Sequence, residues 1–465
     1  MAPASRAIAL VTAAALAAGS GPVRAQPLPA NAGLPIIRDA ETEQLMREYT
    51  APILRAAGLG KQNIQVVIIN ERSFNAFVAD GRRIFVNAGA LMEAQTPNEI
   101  IGVLAHESGH IAGGHLSKMR EQIANAQTQA VIAMLLGLGA VVAGARSSGG
   151  GTGGLSQAGA AALATPPEMI RRSLLSYQRA HEEQADRAGV KFLTATGQSA
   201  KGMHDTFKRL ADQLMYTARY ADPYLQSHPM PAERVAGLQE LARTSPYWDK
   251  KDPAELQLRH DLMRAKLYGF MERPDSVGRR YPASDTSLAA RYARAISTYR
   301  FSDLRNALAQ VDVLIAAHPD NPYFHELKGQ ALLEGGHPAE AIAPLRRAAS
   351  LAPQPALIQI LLGQALVATK DVKHAEEAIP ILRNALAREP EVPEGYSQLA
   401  MAYGRKGDVA QADLASAQAA FARGDIKTAR ELAARAKTRL PVGSPAWVKA
   451  DDIVVVKQPA KPLLR

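Results

Sequence analysis

Residues 106 to 115 read His-Glu-Ser-Gly-His-Ile-Ala-Gly-Gly-His, and the first five of them constrain both the fold and the chemistry of the chain. His106 and His110 are four residues apart, and the apolar run 100–105 before them favours a helix. Four residues make about one helical turn, so both imidazoles project from one face and can bind one metal ion. The spacing predicts a zinc site of the kind that hydrolyses peptide bonds.

The residue types in this motif suit hydrolysis. Two neutral nitrogens suit zinc, and zinc lowers the pKa of a water molecule that it binds to about 7. Glu107 would take the proton of that water as it attacks a peptide carbonyl, and would pass it to the leaving amine. A surface helix with two solvated histidines is the alternative. The apolar residues before His106 disfavour it, because they indicate a buried helix, and burying two imidazoles costs free energy unless they have a partner.

A catalytic zinc site needs a third protein ligand. The metzincin pattern requires a histidine six residues after the second one. This chain has Leu116 there, so that class is excluded. His115 is five residues past His110, which on a continuous helix is about 140° around the axis. We therefore predict that His115 supports the site or the fold and does not bind the metal.

The polar, helix-favouring segment 179–187 offers the better candidate. Glu182 and Asp186 are four residues apart on one face. Glu182 can complete a His-His-Glu ligand set, and Asp186 can accept a hydrogen bond that orients a ligand imidazole. On spacing alone, an ordinary helix with salt bridges remains the alternative.

Four blocks of sequence resemble the M48 family of gluzincin peptidases, closest to members that carry tetratricopeptide repeats. The blocks are residues 75–78 with 84–91, residues 106–115, residues 182–187 and residues 228–234. They occur in family order, and the likeness spans about 35 to 240 before it continues as repeats to about 440. Position 184 is Gln where many relatives have Glu, a departure that does not touch a ligand.

The resemblance implies one zinc ion per chain, bound by His106, His110 and Glu182. It implies that Glu107 is the general base. The remaining implied site residues are Asp186, as support for a ligand, Arg234, as an active-site or structural arginine, and His228, near the metal.

Two roles are open for His228. It either donates a hydrogen bond to the oxyanion of the tetrahedral intermediate, or it binds zinc as a fourth ligand and shuts the enzyme off at rest. Pro229 and Pro231 stiffen its loop, which favours a segment that moves as a unit.

The ends and the composition of the chain predict export. Arg6, the apolar stretch 7–18 and the small-residue site before Gln26 are typical of a signal peptide of residues 1–25. We therefore expect a periplasmic protein, and peripheral contact with the outer membrane is left open. The chain has no cysteine and a formal charge of +10. Export argues against nucleic acid as a partner, so the charge indicates a solvated surface, an anionic membrane or acidic protein partners.

Hydrophobic periodicity predicts the elements around the motif. Residues 39–57 show helical periodicity, and residues 64–69, 76–78 and 83–86 are short β-type runs. Asp80-Gly81 is a hairpin signal. An edge strand of this sheet can pair with an extended substrate, which would read the backbone and favour unfolded chains.

Two further regions are distinctive. Residues 130–164 are apolar and Gly-rich. The apolar run 130–145 within them is too short to span a bilayer, so the segment predicts either a lid over the cleft or a membrane-facing segment. Past residue 288, small residues recur with a period near 34, as with Gly329 and Gly363. This period predicts tetratricopeptide repeats that bind protein segments, and a plain helical bundle is the alternative.

The predicted fold is mainly α: an α+β gluzincin-type metalloprotease domain with a small β-sheet, followed by an α-helical tetratricopeptide-repeat solenoid. The predicted boundaries are 1–25 for the signal peptide, 26–244 for the protease with its segment 130–164, 245–287 for a connector, 288–445 for the repeats and 446–465 for a tail. We expect an exported endopeptidase acting on misfolded or misassembled outer-membrane proteins, with the repeats contacting clients or the outer-membrane assembly machinery. The alternative function is an assembly factor or chaperone in which proteolysis is secondary.

Overall fold

The structure, a computed structural model, describes residues 35–79, 81–121, 178–216, 228–229 and 231–456. The predicted signal peptide and the predicted lid or membrane-facing segment 130–164 lie outside these ranges, as does Asp80 of the predicted turn.

A small mixed sheet stands at the start of the described chain. Its strands are Ile36–Ile37 (β1), Gln65–Ile69 (β2), Ala76–Val78 (β3) and Arg83–Asn87 (β4). Their order is β1-β2-β4-β3, with β2 parallel and β3 antiparallel to β4. The three predicted β-type runs are confirmed, whereas the two residues of β1 are too few to form a sequence pattern. β3 lies at one edge of the described sheet.

Helices surround this sheet and carry the motifs. They are Ala40–Ala56 (α1), Ala88–Glu93 (α2), Pro97–Ala112 (α3), 115–121 (α4), 178–195 (α5), Lys201–Tyr216 (α6) and Ala232–Arg243 (α7). The helix predicted over 39–57 is confirmed as α1, which begins where the Asp39 side chain accepts a hydrogen bond from the Thr42 amide. α3 buries Ile100, Ile101 and Leu104 in the core that it shares with the sheet and α6.

Glycines let α3 approach its neighbours at backbone distance. A Cβ atom added at Gly102 would lie 2.7 Å from the Met203 backbone in α6. A Cβ atom at Gly109 would lie 2.8 Å from the Ala185 carbonyl oxygen in α5. Both distances are closer than a side chain tolerates, so only glycine permits this packing. As a result α5 lies close enough for its carboxylates to reach the imidazoles on α3.

The rest of the described chain is helical. The helices are Ala254–Met271 (α8), Pro274–Arg280 (α9), Leu288–Phe301 (α10), Leu304–Ala317 (α11), Pro322–Glu334 (α12), Pro338–Leu351 (α13), Ala356–Ala368 (α14), Val372–Arg388 (α15), Pro393–Lys406 (α16), Val409–Ala422 (α17), Ile426–Lys437 (α18) and Pro445–Val455 (α19). Within the described ranges, no helix combines the length and the apolar character needed to cross a bilayer.

Successive helices pair along this region, which confirms the predicted mainly α fold with a helical repeat stack. A Cβ atom at Gly329 would overlap Leu345, and one at Gly363 would overlap Leu382. The two glycines therefore occupy equivalent positions where the first helix of a pair meets the second. The stack continues through α19, whose Ala450 and Ile453 are buried against α18, past the predicted boundary at residue 446.

A buried charged cluster joins the protease region to the repeats. The Lys266 ammonium of α8 lies 2.5 Å from the Asp39 carboxylate and 3.5 Å from both Glu41 and Glu326. The Tyr292 hydroxyl donates a further hydrogen bond to Glu41 at 3.1 Å. Burial raises the pKa of Glu41 and of Glu326 to about 7, although the nearby ammonium opposes the shift. The cluster ties α1, α8, α10 and α12 together.

This cluster predicts a pH-dependent stability. The raised pKa means that the folded state holds these carboxyl protons where the unfolded state has released them, so the contribution of these two groups to stability falls as the pH rises from about 4.5 to about 7. One linked proton changes the free energy of unfolding by about 1.4 kcal/mol per pH unit. Denaturant unfolding of the wild type and Glu326→Gln across this range should give a less negative slope for the variant. The exposed Glu340 supplies the control substitution Glu340→Gln, and an identical slope in all three proteins would contradict the prediction.

Candidate metal centre

The two histidines of the pentapeptide lie on one face of α3, as predicted. Their Nε2 atoms are 3.1 Å apart. His106 is fully buried, and the His110 side chain is 13% exposed. A pair of imidazole nitrogens this close, in a buried setting, is arranged to share one cation.

Glu182 of α5 reaches both imidazoles. Its Oε2 atom is 3.3 Å from His106 Nε2, and its Oε1 atom is 3.4 Å from His110 Nε2. The structure thus brings together the three residues that the sequence analysis grouped. The close packing of α5 on α3 at Gly109 makes this reach possible.

His228 joins the same cluster from the segment before α7. Its Nδ1 atom is 2.9 Å from Glu182 Oε2 and 3.3 Å from His106 Nε2. One atom from each of His106, His110, Glu182 and His228 lies within 4.8 Å of the others, so the four residues are able to hold a metal ion.

The spacing of these atoms fits zinc. Tetrahedral zinc with bonds of about 2.0–2.1 Å places its ligand atoms about 3.4 Å from one another. The distances between His106, Glu182 and His228 are 2.9 to 3.3 Å, and those from His110 to His106 and Glu182 are 3.1 and 3.4 Å. Three imidazole nitrogens and a carboxylate whose two oxygens both face them are also a donor set that zinc prefers.

The electrostatics favour the metal-binding forms of Glu182 and His110, two members of this cluster. Burial by itself would raise the pKa of Glu182, but the imidazoles of His228 and His106 outweigh burial and hold that pKa below its usual range. Burial, together with the neighbouring His106, lowers the pKa of His110 well below its usual value. A carboxylate and a neutral imidazole are the forms that bind a metal.

Glu107 is fully buried beside this cluster. Among the residues that the structure describes, neither of its carboxylate oxygens has a hydrogen-bond partner. Burial raises its pKa, and the nearby His228 and His106 partly offset the shift. A carboxylate that faces the ligand cluster with a raised pKa is suited to accept a proton and to give it back.

Asp186 and Arg234 contact the cluster residues and hold them in position. Asp186 Oδ1 lies 2.9 Å from His106 Nδ1. Arg234 donates two hydrogen bonds to Asp186, at 2.7 and 2.8 Å, and one to the Pro229 carbonyl at 2.9 Å. Its Nη1 atom is also 2.9 Å from Glu182 Oε2. Arg234 therefore links Asp186, the carboxylate of Glu182 and the loop that carries His228.

His115 lies where a continuous helix would not place it. α3 ends at Ala112, and Gly114 has a φ of +62° before α4 begins. The expectation of one helix through residue 115 was wrong, because the glycine pair ends α3 and turns the chain back. His115 Nδ1 consequently lies 3.0 Å from His110 Nδ1. The glycine pair itself was the sequence signal for this turn.

A cleft of about 330 Å³ opens onto the cluster. The edge strand β3 lines it with Phe77 and Val78, and residues of α4 line it as well. Glu107, His110, Glu182 and His228 also line it. An extended chain in this cleft would lie beside both the exposed edge of the sheet and the ligand cluster.

Residues 38–242, which include this cluster, match peptidase family M48. The chain carries an M48 peptidase domain. The match over this domain identifies a zinc metalloprotease, which confirms the enzyme class and the cofactor predicted from the sequence.

Two of three relatives match along most of the chain, and the third matches along less than half of it. It is similar to "Beta-barrel assembly-enhancing protease" of Yersinia pestis, with 25% identity over 89% of this chain and 82% of that protein. The protein of the same name from Escherichia coli K12 is also 25% identical, over 88% of this chain and 82% of that protein. "Metalloprotease LoiP" of Escherichia coli K12 is 28% identical over 44% of this chain and 73% of that protein. The resemblance to repeat-carrying M48 peptidases is confirmed.

Proposed function

We propose that this M48 peptidase is an endopeptidase of the bacterial periplasm that cleaves misfolded or misassembled outer-membrane proteins. The observation that carries the proposal is the buried His106, His110 and Glu182 cluster, with Glu107 beside it, at one side of an open cleft. The relatives named for β-barrel assembly support the substrate class. The predicted signal peptide supports the compartment.

In this proposal His106, His110 and Glu182 hold one zinc ion. Zinc, when bound, acidifies a water molecule and polarises the peptide carbonyl. Asp186 holds the His106 ring through Nδ1 and so presents Nε2 to the site. Arg234 keeps Asp186 and Glu182 in place by its hydrogen bonds and charge.

Glu107 moves the proton. Its carboxylate takes a proton from the attacking water as the bond from the water oxygen to the peptide carbon forms. It then donates that proton to the amide nitrogen as the carbon–nitrogen bond breaks. Its position beside His228, whose Nε2 atom lies 3.6 Å from Glu107 Oε1, and its raised pKa support both halves of this exchange.

The edge strand β3 supports a preference for unfolded chains. β3 pairs with β4 on one side only within the described sheet. An extended substrate can add to its open edge through main-chain hydrogen bonds. Such pairing accepts many sequences but requires that the substrate backbone be unpaired.

This preference supplies the test of the proposed function. The purified protease should cleave a urea-unfolded outer-membrane barrel protein much faster than it cleaves that barrel protein folded in detergent micelles. A chelator should stop cleavage, and added zinc should restore it. Equal rates on the folded and unfolded forms, or cleavage that survives the chelator, would refute the proposal.

We further propose that His228 is a fourth ligand that closes the site at rest. Its Nδ1 atom lies 3.3 Å from His106 Nε2 and 2.9 Å from Glu182 Oε2. Atoms that bind the same zinc ion lie about this far apart, which supports metal binding by His228 over the role of an oxyanion donor. A ligand in that position competes with the water needed for hydrolysis.

His228→Ala should therefore raise the rate of casein cleavage while zinc stays bound. If the open state holds about 1–10% of the molecules, the gain is about 10–100-fold. The exposed His337 on the repeats supplies the control substitution His337→Ala, which should change nothing. A variant that keeps its zinc but loses activity would instead assign His228 the oxyanion-donor role.

An assembly factor is the second candidate function. A groove of about 430 Å³ between α16, α17 and α18 exposes Met401 beside Ala400 and Leu432, which suits an apolar client segment. Cells in which the Glu107→Gln variant replaces the wild-type protein distinguish the two functions. Full barrel assembly with the variant would make proteolysis secondary, and failed assembly would support the peptidase.

A further inference from the structure

The two nitrogens of His110 face different partners. Nε2 points at the ligand cluster, 3.1 Å from His106 Nε2, whereas Nδ1 lies 3.0 Å from His115 Nδ1. A neutral imidazole carries one N–H and one bare nitrogen. Because a metal binds the bare nitrogen, His110 can act as a ligand through Nε2 only if its proton is on Nδ1. His110 Nδ1 must then donate, and His115 Nδ1 must accept.

The same reasoning extends one residue further. If His115 accepts at Nδ1, its own proton is on Nε2, which lies 3.3 Å from Gln184 Oε1. A carboxamide oxygen only accepts, so the two contacts agree on one direction. The opposite direction would put a proton on His110 Nε2 and block it.

The surroundings hold the His115 ring in this orientation. His115 is 4% exposed and stacks on His181, with centroids 4.3 Å apart and planes 4° apart. A side chain at Gly113 would overlap the His115 ring, so glycine leaves the space in which the ring lies. Gln184 is two residues from Glu182 on α5, and one helix thus presents both a ligand and the end of the hydrogen-bond chain.

We propose that His115 and Gln184 are positioning residues of the metal centre: they form a hydrogen-bond relay that fixes the tautomer of His110 and keeps its Nε2 bare. The inference rests on the proposed role of His110 as a zinc ligand. His106 is oriented by the carboxylate of Asp186, whereas His110 is oriented by two uncharged side chains. The relay therefore fixes the orientation of the second histidine ligand. It does so without adding charge to a site that already holds the carboxylates of Glu107, Glu182 and Asp186.

Zinc affinity is the direct readout. Loss of a group that orients a metal ligand typically weakens metal binding about 10–100-fold, so we expect that increase in the zinc Kd for His115→Phe. Phenylalanine keeps an aromatic ring against His181 but cannot accept the hydrogen bond. Gln184→Met, which keeps the length of the side chain without an acceptor, should weaken zinc binding in the same direction.

Rescue separates positioning from structural damage. His115→Asn places an acceptor oxygen near the position of Nδ1 and should recover most of the affinity. Casein cleavage by His115→Phe and Gln184→Met should return in excess zinc, which would not repair a damaged fold. Competition with a chromophoric chelator measures each Kd, and the melting temperature in EDTA checks the metal-free fold.

The outcomes distinguish this inference from the proposed function. If the wild type binds zinc and both Gln184→Met and His115→Phe bind it equally tightly, the relay is refuted and the metal site stands. If His110→Ala binds zinc as tightly as the wild type, the proposed ligand set fails first. Should His115→Phe fail to fold, Gln184→Met alone decides.

Discussion

Glu107→Gln is expected to lower kcat for peptide hydrolysis by about 10²–10⁴-fold, the usual contribution of a general base. The amide keeps the shape of the carboxylate but cannot take a proton from water. Glu107 makes none of the ligand contacts described for the cluster, so the variant should keep one zinc per chain. Initial rates on a fluorescent casein, with zinc measured by atomic absorption, report both quantities.

Glu183→Gln is the matched control for this experiment. Glu183 is exposed and pairs with Arg187 on the surface of α5, so its substitution should leave kcat unchanged. An unchanged kcat for Glu107→Gln would remove the proton-transfer step from the mechanism. A loss of zinc in that variant would mean that Glu107 has a ligand role that the geometry does not assign.

Glu182→Gln is expected to weaken zinc binding by more than about 100-fold, beyond the effect of removing a supporting group. The substitution removes the one anionic ligand and leaves the adjacent Arg234 paired with Asp186 alone. Chelator competition measures the change in Kd. Glu183→Gln serves again as the control, because it removes the same charge one residue away from the site.

An unaltered zinc Kd in Glu182→Gln would overturn the proposed ligand set. The three histidines would then hold the ion without the carboxylate. Activity should follow zinc occupancy in this variant, so added zinc should restore part of the hydrolysis. A variant that binds zinc fully and remains inactive would point to a loss of positioning and not of binding.

The parts of the site that the sequence predicts are those fixed by local geometry. The spacing of His106 and His110 within one helical turn predicts their shared face, and the period of residues 39–57 predicts α1. The spacing of Glu182 and Asp186 does not identify Glu182 as a ligand, because a charge-rich helix has the same sequence pattern on a protein surface as beside a metal ion. Its helix passes α3 at Gly109, a tertiary contact that no local pattern encodes.

Other features depend on residues far apart in the chain. Arg234 meets Asp186 and Glu182 across a long separation, and neither segment signals the other. The Lys266 cluster joins the first helix of the protease region to helices of the repeat region, and an isolated lysine in α8 gives no hint of burial. His115 differs from the sequence prediction for a local reason, because the glycine pair before it ends α3.

The contact between Gly109 and Ala185 gives the ion a mechanical role. Two helices that are distant in sequence touch there with no side chain between them, and the proposed ligands bridge them one turn away. Zinc would act as a cross-link between these helices, and each tenfold rise in its free concentration above Kd would add about 1.4 kcal/mol to their cohesion. Metal supply would thereby govern how long the protease survives as well as how fast it works.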